Sequence, residues 1–338
     1  MALPQSAVDF LAGHRQRLRA ARVKRKIVFP EGDDARVLAA AGELAAENLI
    51  QPILIGRPPA GAPAGLTFID PAASPLTQKY AALLYERRRA RGLTQMEAAE
   101  VAGGRLYFAA LMVTAGDADG TVGSAVHTTA DTVRAAIHSI DMRPGFRRLS
   151  SVHVMAVRNK AYGHQGLFIF TDAAIIIQPT AVELAEIALA AAETARALFD
   201  AEPVVALLSF STKGSARHKE VDRVLDALRY IRERAPDLHV DGELQADAAL
   251  VPAVGQSKAP GSTVAGYANT LIFPDLNSAN IGYKLVERLG DGALLAVLLQ
   301  GIARPANIVS RGCAIEDIVH TAILTAVQAE RASQPPER

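Results

Sequence analysis

The chain reads as an α/β protein built on open, parallel sheet, and three observations lead there. Short apolar runs such as Ile27-Val28-Phe29, Ile53-Leu54-Ile55 and 204–210 alternate with longer, often alanine-rich stretches of helical length. Strand, helix, strand at that spacing makes βαβ units, whose strands pair in parallel. Small polar residues follow the runs, at 30–32, 211–215 and 274–277, the strand-to-loop-to-helix order where such sheets place ligands. Finally, 338 residues, half of them hydrophobic, exceed one simple core and point to two domains.

In chain order, Ser6 is expected to cap a first helix, which leads through the basic run from Arg15 to Lys26. Leu11, Leu18 and Val23 can seat that run on the body, and few aromatics interleave it, so it reads as a solvated face. Strand 27–29 ends at the Pro30-Glu31-Gly32 turn, and helix 35–47 and strand 52–56 follow. After a Pro/Gly/Ala loop at 58–65 come a strand at 66–69, a helix at 77–91 and a helix after Thr94. Thr94 and Glu97 have capping-box spacing. The stretch 115–129 is rich in glycine and hydroxyl residues. Thr128 or Thr129 can cap the helix that carries Arg134, and hydroxyls with N–H groups at a helix N-terminus make an anion site. Asp117 and Asp119 read as turn formers, because no further spaced ligands accompany them. His127 reads as a packed or hydrogen-bonding residue.

Pro144 and Gly145 mark a domain crossing near 142–148. Segments 151–157 and 167–171 flank a polar turn and predict a hairpin, with 172–177 continuing as a buried strand. Helix 182–198, strand 204–210, helix 221–234 and strand 238–240 follow, then a helical start at Gln245 and a strand at 270–273. The helix after Asn277 carries Tyr283, Lys284 and Arg288. Strand 294–299 leads straight into 307–319, the final helix fades near Ala332, and 334–338 is expected to be a frayed tail.

The segment 307–319 joins a hydroxyl, a guanidinium, a glycine and a carboxylate. Ser310 and Arg311 suit an exposed turn, Gly312 relaxes the backbone and lets a ligand approach, and Asp317 stands at the start of an apolar helix. A turn feeding a helix N-terminus favours phosphate. Other classes are excluded. The net charge of +1 argues against a protein that grips nucleic acid. Cys313, the only cysteine, allows no disulfide framework and no cysteine metal cluster, and a reducing cytoplasm is the simplest home. No signal-peptide core opens the chain, and no apolar run reaches the roughly 18 residues that span a bilayer, so a soluble protein away from membranes is expected. Neither a dinucleotide fingerprint nor a phosphate loop ending in Gly-Lys-Ser/Thr occurs.

With these pieces in order, residues 26–329 resemble the phosphate acetyltransferases (phosphotransacetylases). The matching stretches are 27–32, Ala118-Asp119-Gly120, 125–134, 208–215, 272–277 with 280–284, and Gln300-Gly301 through Ser310-Arg311-Gly312-Cys313. Several multi-residue matches in one order are highly specific where any single one is not. The resemblance implies a two-domain open-sheet fold similar to the isocitrate and isopropylmalate dehydrogenases, with the active site in the interdomain cleft. Domain one is then 1–144 plus 298–338, and an inserted domain two is 145–297. It also implies a homodimer, acetyl-CoA, phosphate and acetyl phosphate as substrates, and no tightly bound cofactor or metal.

The implied reaction is acetyl-CoA plus phosphate in equilibrium with acetyl phosphate plus CoA, by direct thiolate attack. The resemblance implies Asp317 as the base, Ser310 and Arg311 as its partners, and Arg88, Arg134 and Arg288 as anion-binding residues; the hydroxyls of Thr128 and Thr129, at the start of the helix that carries Arg134, are further candidates for substrate binding. A thiol of pKa ~8.5 facing a carboxylate of ~3.9 makes the proton transfer uphill by roughly 6 kcal/mol, so cations must hold the thiolate or burial must raise the carboxyl. Arg311 can do the former while binding phosphate bidentately, and Ser310 can donate to the developing oxyanion or leaving phosphate. No histidine–aspartate relay marks Ser310 as a covalent nucleophile, and Cys313 reads as a small packed residue. Three departures stand out: Asn307-Ile308-Val309 where the family has Asn-Asp-Leu, Ala296-Val297 where it has Gly-Pro, and Ala314 where it has serine. Rival readings are an acyltransferase for longer groups such as butyryl and a noncatalytic acetyl-CoA-sensing module; a decarboxylating dehydrogenase lacks its nicotinamide signature here.

Overall fold

In the computed structural model, residues 2–332 are described, so the expected tail at 334–338 lies outside them. The chain divides into two compact units, Ala12–Pro144 with Ile302–Arg338, and Met1–Leu11 with Gly145–Gly301. Helix α1 (Gln5–Ala20) is followed by β1 (Lys26–Phe29), α2 (Ala35–Ala46), β2 (Gln51–Ile55), β3 (Thr67–Ile69) and α3 (Leu76–Arg88). A 3-10 turn at Arg89–Arg91 leads to α4 (Gln95–Ala102), α5 (Arg105–Thr114), β4 (Gly120–Gly123) and α6 (Thr129–Ser139). The segment Gly145–Gly301 holds β5 (Ser150–Ala156), β6 (Leu167–Thr171), α7 (Ala181–Phe199), β7 (Val205–Leu208), α8 (Lys219–Arg234) and β8 (Val240–Leu244). It continues through α9 (Ala246–Leu250), α10 (Pro252–Lys258), β9 (Thr270–Ile272), α11 (Leu276–Leu289) and β10 (Ala293–Gln300), before β11 (Ala306–Ile308) and α12 (Ile315–Ala332).

The α/β class is borne out. In the first unit β3-β2-β1-β4-β11 lie in that order, all parallel. Parallel strands are covered on both faces, which is why Ile27, Val28 and Phe29 are all buried without alternation. Val37, Ala40, Ala41 and Leu44 form the buried stripe of α2 at helical spacing. Thr94 and Glu97 make the expected capping box, and Thr128 caps α6 by accepting from the Asp131 N–H. The basic run is held to its own unit: Arg15 pairs with Glu43 and Glu47, and Arg17 with Glu330.

The second unit has the order β10-β5-β6-β9-β7-β8, with β10–β5 and the β5–β6 hairpin antiparallel and the rest parallel. Phe168, Phe170, Leu244, Leu271 and Tyr283 are among its core residues.

Four local expectations are corrected. Ser6 lies inside α1 and donates to the Val157 carbonyl instead of capping. Residues 172–177 are not a strand, because the buried Asp172 carboxylate accepts the N–H groups of Ala174, Ile175 and Ile176 and bends the chain. The strand expected at 238–240 instead runs Val240–Leu244, since polar Asp241 and Glu243 find bonding partners while in a strand. A short strand, β11, precedes the serine–arginine turn, which β10 was expected to enter directly. No helix among the described residues is long and apolar enough to cross a membrane.

Candidate active site

Parallel pairing of β1, β4 and β11 brings three strand C-termini to one edge of the first unit's sheet, with Ile27 opposite Gly120 and Ile308 opposite Gly123. A short loop carries each strand into a helix: 30–34 into α2, 124–128 into α6, and 309–314 into α12. The N-termini of three helices, with the positive ends of their dipoles, therefore gather at the edge where open sheets bind anions.

Ser310, Arg311 and Asp317 all lie on the third of these loops and the first turn of its helix. Ser310 and Arg311 are exposed, and Asp317 is half-buried. The Ser310 hydroxyl oxygen accepts the Gly312 N–H at 3.2 Å, which leaves its hydrogen available to donate outward. Among the described residues the Arg311 guanidinium has no hydrogen-bond partner. Asp317 Oδ2 accepts the Ala314 N–H at 2.9 Å, the returning half of a capping box whose other half is missing because alanine has no hydroxyl. Gly312 does not adopt a positive φ, so what glycine contributes here is the missing side chain. A Cβ placed there would meet only Ser310 Oγ, at 3.9 Å, so the position faces room that the protein does not fill.

Arg36 was not singled out from the sequence, yet it fastens the loops. Its Nη1 donates to the carbonyls of Arg311 at 2.8 Å and Cys313 at 3.1 Å, and its Nη2 to the Ala125 carbonyl at 2.8 Å. Asp34, the α2 cap, grips the same guanidinium at 3.0 and 3.1 Å. A signal existed: a cation in the first turn of a helix opposes the dipole, so Arg36 needs another reason to be there. Cys313 is buried, and burial pushes its thiol up, as suits a packed residue.

Glu31 was likewise missed. It is 2% exposed, and its carboxylate accepts the N–H groups of Ala125, Val126 and His127 at 2.9–3.0 Å. Its Oε1, which takes the Val126 and His127 N–H groups, also lies 2.8 Å from His127 Nδ1. Thr128 spends its hydroxyl within the turn, accepting from the Asp131 N–H and donating to Asp131 Oδ2 at 2.7 Å. Thr129 is exposed at the start of α6, its hydroxyl 3.5 Å from Ser124 Oγ.

Arg88 and Arg134 are brought to one cation-rich region beside Tyr107 and His138, whose Oη and Nδ1 are 2.8 Å apart. Burial, then Arg88, Arg134 and Arg91, hold the His138 imidazole below its usual value. Burial and the adjacent Arg91 also lower Arg88, which is half-buried. Arg134 is exposed and pairs with Asp131 at 2.6 Å. Arg288 belongs to the other unit, exposed on the last turn of α11. In that unit the loop after β7 is internally satisfied: Glu243 accepts from Ser211 Oγ and the Gly214 N–H, and Lys213 donates to Asp241. Among the described residues no cluster of three or more His, Cys, Asp or Glu could hold a metal.

The family model described as phosphate acetyl/butaryl transferase matches residues 14–326. The chain belongs to that family. A phosphate acetyltransferase of Thermoanaerobacterium thermosaccharolyticum is 46% identical over 314 residues, which is 91% of this chain and 96% of that protein. One from Acetivibrio thermocellus is 43% identical over 311 residues, covering 90% and 94%. The crystal structure of a phosphotransacetylase from Streptococcus pyogenes superposes with a TM-score of 0.89 at 42% identity, covering 96% of this chain and 98% of that one. Against this transferase family, the Ile308 departure has a physical reading. Ile308 is buried in β11, where an apolar side chain packs and a carboxylate would need its own partner. Neighbouring Asn307 is buried too and ties β11 to α12 through Thr325 Oγ1 and Gln328 Oε1.

Proposed function

We propose that this chain is a phosphate acetyltransferase that moves an acetyl group reversibly between CoA and inorganic phosphate. One observation carries the reading. Ser310 and Arg311 on one loop, and Asp317 in the first turn of the helix it enters, lie at an edge with three helix N-termini, in a chain 46% identical to a named phosphate acetyltransferase.

From the acetyl phosphate side, Asp317 takes the CoA thiol proton, the sulfur bonds to the acetyl carbonyl carbon, and the C–O bond to phosphate breaks. The electron pair of that bond leaves on phosphate. Arg311 holds the thiolate or the phosphate by charge, which offsets the uphill proton transfer. Ser310 donates its free hydrogen to the oxygen that gains charge. Arg88, Arg134 and Arg288 bind anionic groups of the substrates, with Thr128 shaping the turn and Thr129 offering its hydroxyl. CoA and acetyl-CoA enter as substrates, without a resident cofactor.

The proposed domains are 1–144 plus 298–338 and 145–297, in a fold akin to the isocitrate and isopropylmalate dehydrogenases and in a cytoplasmic homodimer. The exposed row Ile281, Leu285 and Leu289 on α11 supports a second copy as its cover. Phosphate-dependent release of CoA by the purified chain tests the function, with acetyl-CoA and butyryl-CoA compared side by side. Faster release from butyryl-CoA would move the assignment to the longer acyl group. Arg311→Gln should lower turnover by orders of magnitude with the fold intact; full turnover in that variant would sink its assigned role.

A further inference from the structure

We infer that His127 is a further catalytic residue of this site, carrying the proton exchanged with phosphate; the inference rests on the reaction proposed above. The Glu31 oxygen beside His127 Nδ1 already accepts two backbone N–H groups, so it accepts from the ring as well. Nδ1 then carries the hydrogen, and Nε2 is the ring nitrogen without a protein partner among the described residues. Glu31 is 2% exposed whereas the His127 side chain is 37% exposed: the anchor is inside and the free nitrogen is on the accessible side. His127 lies between β4 and α6, two residues from the Ala125 carbonyl that Arg36 ties to Arg311 and Cys313.

The chemistry requires such a group. Thiolate attack on acetyl phosphate expels phosphate with the C–O electron pair; unprotonated, it is a trianion and a far stronger base than hydrogen phosphate. A donor at that oxygen lowers the barrier. In the opposite direction, hydrogen phosphate attacks acetyl-CoA and gives up the same proton, which Nε2 accepts as the C–S bond breaks and Asp317 returns a proton to the thiolate. Protons balance over the cycle, one on the thiol and one on phosphate.

Two variants separate this role from simple loop support. His127→Asn places an amide near the Nδ1 position, keeping the bond to Glu31 and removing Nε2. His127→Gln places an amide near Nε2 that hydrogen-bonds without exchanging a proton. Both should lose about 10²-fold or more in kcat, the scale of general acid–base catalysis, with KM for acetyl-CoA moving less than about threefold. A kcat for His127→Asn within about threefold of wild type overturns the proposal. A second readout needs no turnover. In ¹⁵N-labelled protein, with His127 assigned by its loss in His127→Asn, inorganic phosphate should shift Nε2 and leave Nδ1 in its hydrogen-carrying form. An unmoved Nε2 overturns the proposal. Inactive wild type with a shifted Nε2 would refute the reaction but keep the phosphate contact, so the two failures are distinguishable.

Discussion

Replacing Asp317 separates the capping job its carboxylate performs in the structure from the catalytic job proposed for it. Its Oδ2 holds the Ala314 N–H at 2.9 Å, and its charge sits in the first turn of α12. Asp317→Asn keeps an oxygen acceptor for that N–H but removes the charge, which near a helix N-terminus contributes about 0.3–1 kcal/mol. Asp317→Ala also loses the hydrogen bond, for a further 0.5–1.5 kcal/mol or so. Stability should therefore fall in the order wild type, Asn, Ala, by about 0.3–1 kcal/mol for Asn and about 0.8–2.5 kcal/mol in total for Ala, as read from urea denaturation. Turnover should not follow that ladder. Both variants lose the base, so both should fall by roughly 10²–10⁴ in kcat. Asn at wild-type turnover refutes the catalytic role, and Asn and Ala variants of equal stability refute the capping role.

Other expectations concern the same helix start, the glycine beside it and a buried histidine. Ala314→Ser supplies the missing half of the capping box and should stabilise by ~1 kcal/mol, a rise of about 2–4 °C in thermal midpoint; no rise would mean α12 is already capped some other way. Gly312→Ala meets only Ser310 Oγ at 3.9 Å and needs no positive φ, so stability should hold or gain about 0.4–1 kcal/mol while turnover falls. Undiminished turnover would show that no substrate approaches there. His153 is buried, and burial, helped by Lys284, pushes its imidazole from 6.5 down to about 3. The unfolded chain therefore takes up the proton first. Stability from this group is complete above pH 6.5 and is lost towards pH 3, at up to about 1.4 kcal/mol per pH unit. His153→Phe should flatten that acid limb in chemical denaturation from pH 7 to 4, and an unchanged slope would contradict the assignment.

Local chemistry was legible in the sequence and distant chemistry was not. Thr94 with Glu97 and Thr128 with Asp131 are partners three residues apart, so their caps follow from spacing alone. Glu31 and Ala125 are 94 positions apart, and Arg36 and Arg311 are 275 apart, so no window of sequence joins them. Residues 172–177 misled because an apolar run has strand character until one carboxylate, Asp172, captures three amides. Strand β11 is three residues long, too short to carry a periodic pattern. The loop with Ser310, Arg311 and Asp317 was visible as a motif. The guanidinium that fastens its backbone was not.

The most direct test is acetyl phosphate formation by the purified chain from acetyl-CoA and inorganic phosphate, followed together with free CoA. One acetyl phosphate should appear for each CoA released, and neither should form without phosphate. CoA release without acetyl phosphate, or no release at all, would contradict the assignment as a phosphate acetyltransferase.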